Sequence, residues 1–185
     1  MSPAPNPPIL RPVVLVGLMG AGKTCIGARL AERLGLEFAD ADTEIEAAAG
    51  CSIEDIFVIY GEPAFRDVER RVIARLLSGP VKVIATGGGA FMDQETRAAV
   101  KAHATSIWLR ADLDLLLNRV GRRNNRPLLK KGDPREVLKR LMAERYPAYA
   151  EADLVVDGTR EPPDATVDRV IEALRDHAAR TEAAT

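Results

Sequence analysis

Four consecutive apolar residues, Val13-Val14-Leu15-Val16, have the length and branching of a strand buried on both faces. Glycines and polar residues interrupt them. Apolar positions then return at Ile26, Leu30 and Leu34, the spacing of one helix face, which stops at Gly35. A short apolar piece, Leu36 to Ala39, runs into Asp40-Ala41-Asp42, and helical spacing resumes at Ile45. Ser52 followed by Asp55 reads as a helix start backed by Ile53, Ile56 and Phe57. A long helix is expected from about Glu62 to Leu77, ended by Ser78-Gly79-Pro80.

Val81 to Ala85 is the next strand, closed by Thr86-Gly87-Gly88-Gly89, and a helix over Asp93 to His103 leads to a strand at Thr105 to Leu109. Asp112 starts a leucine-rich helix that reaches Val120, with Gly121 placed as its terminal glycine. From Arg122 to Gly132 the period breaks, and Arg122, Arg123, Arg126, Lys130 and Lys131 face no acid in that stretch, which marks a mobile basic loop. Asp133-Pro134-Arg135-Glu136 restarts a helix that should run to about Tyr146. Leu154 to Val156 is a last strand, and Asp164 to about Ala179 a last helix.

Strands that alternate with helices imply right-handed crossovers, a parallel sheet of about five strands and helices on both faces, an α/β fold in three layers. Ligands on such sheets bind beyond the carboxyl ends of the strands. Three turns follow strands here: Gly17 onward, Asp40 to Asp42, and Gly87 to Gly89. All three are expected to face one crevice.

The first turn carries chemistry. Gly17-Leu18-Met19-Gly20-Ala21-Gly22-Lys23-Thr24 is a complete phosphate-binding loop, set between the first strand and the first helix as its physics requires. Glycines let backbone N–H groups approach phosphate oxygens, and the helix adds its positive end. Lys23 can reach the outer phosphates of a nucleoside triphosphate, and the Thr24 hydroxyl is placed to ligate the Mg²⁺ that bridges them.

Composition narrows the partners. The chain has 185 residues, 46% of them apolar, which suits one compact domain, and its formal charge of −1 supplies no basic field for nucleic acid. Aromatic residues are only 4%, so platforms for stacking bases are few. Residues 1–12 hold five of the twelve prolines and no signal-peptide pattern, and a disordered tail is expected there, with a flexible tail at 180–185. No apolar run approaches the ~20 residues of a membrane span. Cys25 and Cys51 stand far apart and suit a reducing, cytoplasmic setting, while His103 and His177 are isolated. A guanine-reading Asn-Lys-x-Asp is missing, and no apolar run ends in the Asp-Glu pair common in motor ATPases.

The later motifs then follow in a familiar order. Phe38-Ala39-Asp40-Ala41-Asp42, Gly61-Glu62-Pro63-Ala64-Phe65-Arg66, Gly87-Gly88-Gly89, Arg119, Arg126-Pro127-Leu128-Leu129 and Arg145-Tyr146-Pro147-Ala148-Tyr149 come after the phosphate loop. Over roughly Val13 to Asp157 the chain resembles the shikimate kinases. The resemblance implies a P-loop kinase fold with a lid at about 121–133 and a helical acceptor-binding segment at about 40–77, within one domain spanning 13–179. It implies transfer of phosphate from ATP to the 3-hydroxyl of shikimate, in the pathway to chorismate and the aromatic amino acids.

Residue by residue, the resemblance makes Lys23, Asp42 and Arg126 catalytic, with Asp42 on the shikimate hydroxyls and Arg126 on the transferring phosphoryl group. Thr24 and Asp40 would hold Mg²⁺. Gly20, Ala21, Gly22, Lys23, Thr24, Cys25, Arg119, Arg126 and Arg160 would bind ATP, Cys25 through its backbone N–H. Arg66 and Arg145 would grip the substrate carboxylate, with Gly87, Gly88 and Gly89 beside them. Guanidinium suits that task because its fork matches a carboxylate in two-point contact. Each has a plainer reading: Asp42 as a helix cap, Arg66 in a surface ion pair with Asp67 or Glu69, Arg145 as a solvated helix-end cation near Glu144. Two departures stand out, Cys25 for a hydroxyl residue and Ala148 for leucine. A cytoplasmic monomer is expected, and the rival readings are a kinase for another small alcohol such as gluconate, or a nucleotide-dependent regulatory module.

Overall fold

The computed structural model describes residues 5–122 and 132–185. Arg126 and the rest of 123–131 therefore lie outside the described residues. Five strands form one parallel sheet: β1 (Val13–Val16), β2 (Glu37–Asp40), β3 (Lys82–Ala85), β4 (Thr105–Arg110) and β5 (Leu154–Asp157). Their order is β2-β3-β1-β4-β5, with Val13 opposite both Val83 and Thr105. The first strand is thus central and fully buried, as its unbroken apolar run demands.

Alternation along β1 splits the core into two layers. Val14 and Val16 pack with α2 (Ala41–Ala49), α4 (Glu62–Ser78), α5 (Gln94–His103), α6 (Leu113–Gly121) and α7 (Pro134–Tyr149), while Val13 and Leu15 pack with α1 (Lys23–Leu34) and α8 (Pro163–Ala183). The remaining helix, α3 (Ile53–Tyr60), lies between α2 and α4 and exposes Val58, Ile59 and Tyr60. Caps form where the sequence places them, with Ser52 accepting from Asp55 N, Asp93 from Thr96 N and Asp112 from Leu115 N.

Some boundaries differ from the sequence expectation. Helix α7 runs past Pro147 to Tyr149 because Ala148 and Tyr149 are buried, and their packing outweighs the backbone bond that proline cannot donate. Gly121 lies within α6 and Arg122 caps it in right-handed backbone. Helix α8 continues to Ala183, four residues beyond the expected end. The segment expected to be a disordered tail is, from Pro5 on, tied to the body. Asn6 donates to Arg33 O, Arg175 donates to Pro5 O, and Thr105 N donates to Pro12 O. Proline richness lowered the entropic cost of fixing that strip, and the body supplied the partners that composition does not show.

Candidate active site

The phosphate loop leaves β1 through three glycines with positive φ, Gly17, Gly20 and Gly22. Gly22 caps α1 at φ 96°, a conformation closed to most residues, and leaves the first N–H groups of the helix uncapped by any side chain. Amides left free in this way could cradle an anion. Lys23 Nζ donates to Gly17 O at 2.6 Å and Leu18 O at 3.0 Å, so the ammonium lies over the loop where phosphates would sit.

Asp40 ends β2 and performs two tasks at once. Its Oδ1 accepts from Asp42 N and Thr43 N and caps α2, while its Oδ2 accepts from Thr24 Oγ1 at 2.7 Å. A hydroxyl and a carboxylate oxygen thus meet at the mouth of the phosphate loop, both hard oxygen donors of the kind Mg²⁺ takes. Since Asp40 is the cap, Asp42 is released from that role and stands one residue into α2.

Asp42 is half-buried, and burial first, then the neighbouring Asp40 charge, holds its pKa above the ordinary value, with Lys23 opposing. The electrostatic reach of Lys23 to Asp42 ties the two sides of the crevice together.

Gly87, Gly88 and Gly89 follow β3, and Thr86 fixes their start by donating from Oγ1 to Leu15 O at 2.8 Å. None of the three has positive φ. What each lacks is room for a side chain. A Cβ on Gly87 would lie 2.9 Å from Asp42 Oδ1, one on Gly88 3.0 Å from Arg145 Nη1, and one on Gly89 2.7 Å from Arg66 Nη1. Three successive glycines therefore each face a different one of the three side chains expected to hold the acceptor. The position of a Cβ on Gly88 is also 3.6 Å from Met19 N and 3.7 Å from Gly17 O, so the triplet abuts the phosphate loop.

The guanidinium of Arg66 is held by Glu69, whose Oε1 accepts from Nη1 at 2.7 Å. Glu69 is only 2% exposed and is the one fully buried charged residue among the described residues. Burial pushes its pKa up and the Arg66 contact pulls it back. The plainer reading of Arg66 as an ion pair is thus half right: the pair exists, yet its carboxylate is buried and the guanidinium is aimed at Gly89. Arg145 is half-buried on α7, with Tyr149 one turn further along the same helix. Tyr149 donates to Gly88 O.

A family model described as Shikimate kinase matches residues 19–175. A shikimate kinase from Paramagnetospirillum magneticum is 64% identical over 164 residues, covering 89% of this chain and 84% of its own length. The chain belongs to the shikimate kinase family. Another relative, the shikimate kinase of Caulobacter vibrioides, is 57% identical over 88% of this chain and 82% of its own. Among solved structures, a shikimate kinase from Acinetobacter baumannii in complex with shikimate superposes with a TM-score of 0.86 at 37% identity, covering 91% of this chain and 94% of its own. A gluconokinase from Sinorhizobium meliloti, at TM-score 0.64 and 16% identity over 95% and 97% of the chains, shares the fold.

Of the residues expected to bind nucleotide in a shikimate kinase, Arg119 donates to Gly20 O and Ala21 O from Nη1 and to Thr159 O from Nη2. It braces the back of the phosphate loop against the turn after β5, and burial lowers its pKa. Arg160 is exposed on that same turn, and Cys25 is exposed on α1. Two contributors escaped the motif-by-motif reading. Glu69 entered it only as a surface partner, although its place three residues after Arg66 was a usable signal. Tyr149 was quoted within a motif and given no task, because nothing in the sequence shows that its hydroxyl meets Gly88.

Proposed function

We propose that the chain transfers the γ-phosphoryl group of ATP to the 3-hydroxyl of shikimate, giving ADP and shikimate 3-phosphate. The observation that carries this reading is the glycine triplet whose three missing side chains make room for Asp42, Arg145 and Arg66 beside the phosphate loop. A carboxylate and two arginines around one small recess suit a polyol that carries its own carboxylate.

The loop amides of Gly20 to Thr24 and Lys23 hold the phosphates, and Thr24 with Asp40 would hold Mg²⁺, which when bound neutralises phosphate charge. Arg66 and Arg145 take the acceptor's carboxylate and so fix which hydroxyl faces the triphosphate. Asp42 orients that hydroxyl and accepts its proton as the oxygen bonds to phosphorus and the bond to ADP breaks. Arg119 and Arg160 flank the adenine of ATP, and Arg126 is the basic-loop cation for the transferring oxygens. Monomeric action in the cytoplasm belongs to the same proposal; among the described residues no helix is long and apolar enough to cross a membrane.

A coupled ADP-release assay with shikimate and gluconate offered separately tests the reading. Shikimate-dependent turnover with none on gluconate is expected. Turnover on gluconate alone, or ADP release indifferent to either, would overturn it.

A further inference from the structure

We propose that Tyr149 is a positioning residue for the acceptor, setting both Gly88 and Arg145 through its one hydroxyl. This rests on the function proposed above. Tyr149 is fully buried, and a buried phenol needs partners for its proton and its oxygen. Oη donates to the carbonyl of Gly88, and the positive charge of Arg145 acts on the same oxygen, pulling the phenol pKa down against burial. Arg145 and Tyr149 are four residues apart on α7, so the helix itself holds them on one face.

The ring has little freedom to move. Trp108 of β4 lies 5.8 Å from it and Tyr146 6.1 Å, and Trp108 and Tyr146 meet edge-on at 4.8 Å. The sheet therefore fixes the ring, the ring fixes the hydroxyl, the hydroxyl fixes the glycine, and the glycine faces the arginine. Burial also pushes the phenol pKa up to about 12, so the proton stays on the oxygen and the donation to Gly88 persists across the working pH range. Gly88 is the member of the triplet nearest both Arg145 and the phosphate loop, so a shift of its backbone would displace the acceptor relative to the donor.

Tyr149→Phe deletes the hydroxyl and keeps the ring. The expected result is a rise of about five- to tenfold in the KM for shikimate with the KM for ATP within about twofold of the wild type, the size of one lost hydrogen bond to a buried group. A double-mutant cycle with Arg145→Ala adds a second readout: the paired substitutions should cost less than the sum of the two alone. An unchanged shikimate KM, strict additivity, or equal rises in both KM values with a lowered unfolding temperature would overturn the positioning role. Each of those results presupposes an active wild type; a wild-type chain without shikimate-dependent ADP release would overturn the function proposed above and this inference with it.

Discussion

Gly22 and Gly88 stand on the two sides of one crevice and are glycines for opposite reasons. At Gly22 a Cβ would find ordinary space, 3.6 Å from both Arg119 and Ile26, but the backbone sits at φ 96°. At Gly88 no positive φ calls for glycine, but a Cβ would lie 3.0 Å from the Arg145 guanidinium. Backbone direction builds the donor side, where amides must turn toward phosphate. Side-chain exclusion builds the proposed acceptor side, where Asp42, Arg66 and Arg145 converge on the glycine triplet. The phosphate loop of the donor side is accordingly contiguous in the sequence, while the acceptor side is assembled from α2, α4, α7 and the turn after β3.

The sharpest way to separate the sides is Asp42→Asn. Turnover should fall about 10²- to 10⁴-fold, the contribution of a positioned base, while the unfolding temperature at neutral pH holds or rises. The sign follows from the raised pKa. A carboxyl whose folded pKa exceeds its unfolded value supports the fold when protonated, below the unfolded value near ~3.9. That support is lost as pH climbs through the folded value, so at neutral pH the buried charge is a cost that asparagine removes. The same shift makes kcat/KM of the wild type decline toward acid at a higher pH than an ordinary aspartate would give. A marked loss of stability in Asp42→Asn, read by thermal unfolding, would make the residue structural.

A smaller effect is expected at the acceptor rim. Gly89→Ala keeps an accessible backbone, φ −96°, but drives a methyl into Arg66, which Glu69 prevents from retreating. Steady-state kinetics should show the shikimate KM raised about tenfold and the ATP KM unmoved. Normal shikimate kinetics would mean that Arg66 does not hold the acceptor.

How much of this was legible before the fold depends on distance along the chain. The phosphate loop is contiguous, and its strand, turn and helix could be read from Val13 to Leu34 alone. The sheet was legible because most strands carry a short apolar run between helices; ends such as Pro147, Gly121 and Ala183 were misplaced where packing overrides local signals, as was the strip from Pro5. The acceptor residues were reached by family resemblance, since nothing local to Asp42, Arg66 or Arg145 says that they meet. Even then the pattern could not tell which aspartate caps α2. Asp40 does, and that frees Asp42.

The most direct test is a pair of steady-state measurements on Gly22→Ala and Gly88→Ala, with ATP and shikimate varied in turn. Backbone strain of about 1–2 kcal/mol at Gly22 should weaken ATP and leave shikimate alone, whereas Gly88→Ala should weaken shikimate and leave ATP alone. If both variants shift the same substrate, or if neither separates the two, the division of the crevice into a backbone-built donor side and a side-chain-built acceptor side is contradicted.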